Sequence, residues 1–289
     1  MIKKSSLAAT LLLFLCFSWA QPSVLPNSVA EYLAFREEGR IPIISAHRGG
    51  RFLPLYPENA LETFEYVLRQ APTLIECDIN MTKDSVLILL HDNSLNRTTT
   101  GKGRVDSTNW EGLRSLQLVD DYGRETPFHI PLLKDVLHWC KGRTVLTLDV
   151  KRGVPFSNVI AAIDSAGVAD YTVVITYNLE DALEVYRLAP GLMISANIRN
   201  EAELKKYLDS GIPARQLLAF TGLQERSDNF YDALHRNGIL AIIGTMGNLD
   251  TKAMVRGSSV YLGLFQSGAD IFATDYPIEI FQAFRLIGR

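Results

Sequence analysis

Cysteine is scarce in this chain. Of the three, Cys16 falls in the amino-terminal leader and only Cys77 and Cys140 remain, too few for a disulfide-stapled scaffold. Cys77 sits in a strand-like apolar run and Cys140 at a helix-like end, which reads as two buried free thiols. Positive charge is not in surplus either. A formal charge of −3 leaves no basic stripe to neutralise a nucleic-acid backbone, so nucleic acid is excluded as a bulk electrostatic partner. The apolar run Leu7 to Phe17 stops short of the roughly 18–20 residues that a membrane span requires. Lys3 and Lys4 precede it and Ser18-Trp19-Ala20 follow it, the pattern of a signal peptide over residues 1–20 cleaved before Gln21. An exported protein, periplasmic or secreted, is therefore expected, with no membrane span after cleavage. Bulky Leu15 before Cys16 reads against a lipid anchor.

Long linkers, low-complexity tracts and internal repeats are absent as well, which leaves residues 21–289 as a single domain. Apolar β-rich runs alternate with amphipathic ones. Strands are predicted at Ile41–Ala46, Leu74–Asn80, Val86–Leu90, Val145–Val150, Thr172–Thr176, Met193–Asn197, Leu217–Phe220, Leu240–Gly244 and Ile271–Thr274. Helical patterns cover Leu61–Gln70, Leu132–Cys140, Asn158–Ser165, Leu179–Leu188, Glu201–Asp209, Asp228–Arg236 and Ile278–Leu286. Such alternation predicts parallel β/α units, and an α/β barrel commonly takes roughly 250 residues. One strand is in excess of the eight a barrel needs. Only Thr82-Lys83-Asp84-Ser85 link Val86–Leu90 to the run before it. That link is of hairpin length, too short for a parallel crossover, so this strand is expected to turn back beside the second one. Residues 93–131 carry several glycines and no sustained period, and are expected to form an ordered insertion capping the site.

The chemistry follows from strand geometry. Alternate side chains of a strand share a face, so Glu76 and Asp78 point together and so do Asp149 and Lys151. Catalytic groups of β/α barrels collect at the carboxyl ends of the strands. There, three carboxylates from two strands can converge on one cation, and an all-oxygen set favours Ca2+ or Mg2+ over zinc. Alone, acidic residues at strand ends are as often merely solvated, and a lone histidine is more often structural. Here His47 and His91 frame the carboxylates, two imidazoles suited to taking a proton from a nucleophile and giving one to a leaving oxygen. Arg48 and Lys151 would neutralise a phosphate. Gly101-Lys102-Gly103 lacks the spacing of a P-loop. No His-x-His pair is present, which disfavours a zinc amidohydrolase. His129, His138 and His235 read as surface or packing residues.

The runs His47-Arg48-Gly49, Pro57-Glu58-Asn59, Glu76-x-Asp78, Thr82-Lys83-Asp84, His91-Asp92 and Asn96-Arg97-Thr98-Thr99 with Gly101-x-Gly103 resemble the glycerophosphodiester phosphodiesterase family. The resemblance is densest over residues 43–105 and extends loosely to Ala273-Thr274-Asp275-Tyr276-Pro277. It implies a distorted (β/α)8 TIM barrel with a small insertion after the second strand region. It also implies a divalent cation and hydrolysis of glycerophosphodiesters to glycerol 3-phosphate and an alcohol. By the same resemblance His47 and His91 are the acid and base and Glu76 and Asp78 ligate metal. Glu58 is a supporting carboxylate beside the site, and Arg48 and Lys151 face the phosphate. Three departures stand out: Asp149-x-Lys151 where members usually carry Glu-x-Lys, Thr176-Tyr177 for a Ser-Phe pair, and Gly244-Thr245-Met246-Gly247-Asn248 for a Trp-Thr-Val-Asn-like segment. The alternatives are a related phosphodiesterase acting on phosphoinositides or other head groups, and a non-catalytic barrel that binds phosphorylated ligands. Attack on phosphorus by a glycerol hydroxyl or by water remains open.

Overall fold

Short β-branched runs with both faces apolar must be covered on both sides, which favours a parallel sheet wrapped by helices. The structure, a computed structural model, describes residues 28–287; the leader expected over residues 1–20 lies outside them. In chain order the strands are β1 (Ile43–Ala46), β2 (Leu74–Met81), β3 (Leu87–Leu89), β4 (Gln117–Val119), β5 (Glu125–His129), β6 (Leu146–Val150), β7 (Thr172–Thr176), β8 (Met193–Asn197), β9 (Leu217–Phe220), β10 (Leu240–Gly244) and β11 (Ile271–Thr274). Strands β1, β2 and β6 to β11 pair in parallel around a ring, closed where β1 meets both β2 and β11. The fold is thus an eight-stranded β/α barrel.

The surplus strand is β3, which turns back antiparallel on β2 with Ile79 opposite Leu89 and Met81 opposite Leu87. Thr82 ties that turn: its Oγ1 accepts from the Val86 N–H at 2.9 Å and donates to Asp84 at 2.6 Å.

The helices are α1 (Val29–Tyr32), α2 (Leu61–Gln70), α3 (Trp110–Leu113), α4 (Leu133–Cys140), α5 (Phe156–Ala166), α6 (Leu179–Leu188), α7 (Glu201–Leu208), α8 (Asp228–Arg236), α9 (Asn248–Arg256), α10 (Ser259–Ser267) and α11 (Pro277–Ile287). The main core lies between the ring and these helices, and it holds Cys77 and Cys140 as buried free thiols. A second cluster fills the barrel floor, where Val29 and Leu33 pack on Leu74, Val145, Val173 and Ile271. The first turn of α1 is capped by the Ser28 hydroxyl, which accepts from the Glu31 N–H at 3.2 Å. Residues 93–131 are ordered around a cluster in which Leu95, Val105, Leu113, Leu118 and Ile130 pack with Ala60, Ile88 and Leu90, and β4 and β5 form a two-stranded sheet.

Periodicity did not announce α1, α3, α9 or α10, nor the strands β4 and β5 within residues 93–131. The first two helices are single turns, too short to show a period. In α9, Met254 and Val255 are 60% and 81% exposed, so apolar residues fall on the solvent face and the amphipathic pattern is lost. Among the described residues no helix is long and apolar enough to cross a membrane.

Candidate active site

Strand register assembles the acidic cluster. Asp78 on β2 lies directly opposite Asp149 on β6, and Glu76 lies one inward step below, opposite Thr147. Ligand oxygens of Glu76, Asp78 and Asp149 all fall within 4.8 Å of one another, and all three residues are buried. Burial, reinforced by the charges of Asp78 and Asp149, pushes the Glu76 carboxyl well above its ordinary range. Three buried carboxylates so close are short of positive charge, and a hard divalent cation fits that deficit and the all-oxygen donor set.

Two basic side chains supply part of the balance. The Lys151 ammonium sits 2.6 Å from Asp78 and 2.5 Å from Asp149. For Asp78, burial raises the pKa, but Lys151 and Arg48 outweigh it and hold the carboxyl below its usual value. Arg48, with φ 54°, occupies the left-handed region that an L-residue enters only at a cost of about 1–3 kcal/mol. That backbone turn aims the Arg48 N–H at Glu76 Oε2, 2.7 Å away. The next residue, Gly49, is also left-handed, and a Cβ there would lie 2.2 Å from the Phe64 ring. Only glycine therefore allows the chain to turn out of β1 while α2 packs beneath it.

Glu58 gathers guanidinium groups. It accepts from Arg48 at 3.0 Å and from Arg97 in a two-pronged contact at 2.8 Å, and Arg51 stands 3.3 Å away. Asn59 adopts φ 58° and bridges Asp78 twice, its amide donating to Oδ2 at 2.6 Å and its carbonyl accepting the Asp78 N–H at 2.9 Å. Tyr177, immediately after β7, donates its hydroxyl to Asp149 Oδ1 at 2.9 Å.

Each histidine leans on a carboxylate through Nδ1. His47 meets Asp275 at 2.6 Å and His91 meets Asp92 at 2.6 Å. A carboxylate only accepts, so each contact favours the tautomer that carries its proton on Nδ1. Arg97 also holds Asp92, at 2.7 Å, and that hydrogen bond keeps Asp92 far below the usual carboxylate range despite partial burial. His91 follows Leu90, whose N–H donates to the Asp78 carbonyl at 3.1 Å, and His47 shares a cavity of about 140 Å³ with Glu76, Asp149, Tyr177, Phe220 and Met246.

All eight residues singled out in the sequence thus meet around the carboxyl ends of β1, β2 and β6. Arg48 and Lys151, read as phosphate ligands, are drawn here onto carboxylates. Sequence reasoning passed over the roles of Asp275, Asp92, Asn59, Arg97 and Tyr177. Each stood inside a segment already marked for other reasons, and that adjacency was the available signal. His235, read as a packing residue, stacks on Phe35 and pairs with Asp270 at 2.8 Å, near the barrel floor.

Comparison with known proteins gives concordant results. The model of the glycerophosphoryl diester phosphodiesterase family matches residues 47–209. A crystal structure of a glycerophosphoryl diester phosphodiesterase from Parabacteroides distasonis is similar with a TM-score of 0.84 and 33% identity, covering 90% of this chain and 92% of that one. A phosphodiesterase from Oleispira antarctica, solved with the product sn-glycerol 3-phosphate, shares the fold with a TM-score of 0.66 and 20% identity, over 85% of this chain and 97% of that one. In sequence, the uncharacterized protein YqiK of Bacillus subtilis is 27% identical over 248 residues, 81% of this chain and 95% of its own length.

Proposed function

The chain belongs to the glycerophosphoryl diester phosphodiesterase family, and from that premise we propose that it hydrolyses glycerophosphodiesters to glycerol 3-phosphate and an alcohol with His47 and His91 as the acid–base pair. The observation that carries this reading is the matched pair of histidines, each held through Nδ1 by its own aspartate at 2.6 Å, beside a cluster of three buried carboxylates. The product held by the Oleispira antarctica protein is the one this reaction would release.

Glu76, Asp78 and Asp149 would hold Ca2+ or Mg2+, which supplies Lewis-acid polarisation of the phosphoryl oxygens. One histidine takes the proton of the attacking hydroxyl and the other delivers a proton to the departing alcohol oxygen. Asp275 and Asp92 keep the two rings in the tautomer with Nε2 directed at these protons and stabilise whichever ring becomes charged. Glu58 fixes Arg48, Arg97 and Arg51 in place, so the phosphate meets guanidinium groups that need no further ordering. The leader with Lys3, Lys4 and the run to Phe17 supports an exported enzyme, periplasmic or secreted.

The test is release of glycerol 3-phosphate by the purified protein from a panel of glycerophosphodiesters differing in alcohol, with Ca2+, Mg2+ or chelator present. Release with cation and none with chelator is expected. No release from any member of the panel with either cation would overturn the proposal.

A further inference from the structure

Each carboxylate of the cluster is held by one uncharged donor. Glu76 takes the backbone N–H of Arg48, Asp78 the amide of Asn59 and Asp149 the phenol of Tyr177. The first two donors are locked by left-handed backbone at Arg48 and Asn59. The third comes from a side chain that packing does not demand, since Tyr177 is 55% exposed.

Register explains how it reaches. Asp149 lies opposite Ile175 of β7, so Tyr177, two residues further on, shares the inward face one step nearer the mouth. Asn197 tethers its carbonyl at 3.0 Å, and the long phenol extends back to Asp149. Phenylalanine would line the same wall without donating, and serine would not span the gap. Lys151 holds the other oxygen of Asp149, but it shares its ammonium with Asp78 and, being cationic, repels a second positive charge. A phenolic O–H orients the carboxylate without adding charge.

We propose that Tyr177 is the positioning residue that fixes Asp149 as a cation ligand, an inference that rests on the metal reading above. The readout is Ca2+ affinity, measured by titration calorimetry on the wild type, Tyr177→Phe, Asp149→Ala and the double variant. Donors to metal ligands typically contribute 10–100-fold, so Tyr177→Phe is expected to weaken Ca2+ binding about tenfold. If the hydroxyl acts through Asp149, the same substitution in the Asp149→Ala background changes affinity by less than about twofold. Unchanged affinity in Tyr177→Phe, or an equal loss in both backgrounds, overturns the inference while leaving the metal reading intact. Failure of the wild type to bind either Ca2+ or Mg2+ overturns the metal reading and this inference with it.

Discussion

The Arg97 guanidinium meets the Glu58 carboxylate through two hydrogen bonds of 2.8 Å each. The pair joins the insertion to the barrel, because Arg97 belongs to residues 93–131 and Glu58 to the loop between β1 and α2. Glu58 is buried, so it is stabilised only while its three arginines surround it.

Burial alone raises the pKa of Glu58, but Arg97, Arg48 and Arg51 outweigh it and hold the carboxyl below its ordinary value. A carboxyl with a depressed folded-state pKa contributes stability that is present above its unfolded value and lost as pH falls through the folded one. Glu58→Gln is expected to cost about 3 kcal/mol at neutral pH, as for other broken buried pairs. The gap from wild type should narrow as acid protonates Glu58 in the wild type too. Urea unfolding at neutral and acid pH checks this, and a gap independent of pH would count against it.

Loss of either histidine is expected to lower kcat by about 10²- to 10⁴-fold. The double variant His47→Ala with His91→Ala should lose less than the product of the single losses, since the two act in one transfer. Asp275→Asn disturbs the tautomer of His47 and should lower kcat in the same direction. Steady-state kinetics on variants with native circular dichroism test this; an unfolded His47→Ala protein would assign the ring a structural role instead.

Chelation is expected to abolish turnover, with Ca2+ or Mg2+ restoring it. Because Glu76, Asp78 and Asp149 crowd one buried space, cation binding should also raise thermal stability, by about 2.7 kcal/mol at one hundred times Kd. Full activity of metal-free protein, or a melting temperature indifferent to both ions, would exclude the cation site.

A hydroxyl already tethered to the phosphate gains strongly from proximity. If the glycerol moiety supplies the nucleophile, a cyclic phosphate forms and water then opens it. Glycerophosphodiesters with different alcohols should then all be cleaved, and bis(p-nitrophenyl) phosphate only poorly. Comparable kcat/KM on that diester would favour direct attack by water, and the segment Gly244 to Asn248 is the place to seek the cause.

The thiols offer a check on packing. Burial pushes Cys140 up to about 12 and Cys77 well above its ordinary value, so little thiolate is present at neutral pH. Neither is expected to react with a disulfide reagent in the native state, and both should react in urea. Rapid native labelling of either would contradict the core described here.

Much of the fold was legible because it follows from the backbone's own periods. The alternation of apolar runs predicts β/α units, and the brevity of Thr82 to Ser85 predicts the reversal of β3. The two-residue period places Glu76 with Asp78 on one face and Asp149 with Lys151 on another, before any tertiary contact is known. The short α1 and α3 and the helices α9 and α10 escaped, because a single turn shows no period and exposed apolar residues blur one.

The sequence alone determined the residue types, their faces and the strand ends on which they stand, since these depend on local geometry that each segment carries with it. Only the closed barrel decided which of them touch. Asp275 reaches His47 across 228 residues because β11 pairs with β1, and Tyr177 reaches Asp149 because β7 pairs with β6. Arg97 meets Glu58 because the insertion packs through a shared cluster onto Ala60, Ile88 and Leu90. Such partners are chosen by sheet register and ring closure, quantities of the whole chain that no local stretch contains.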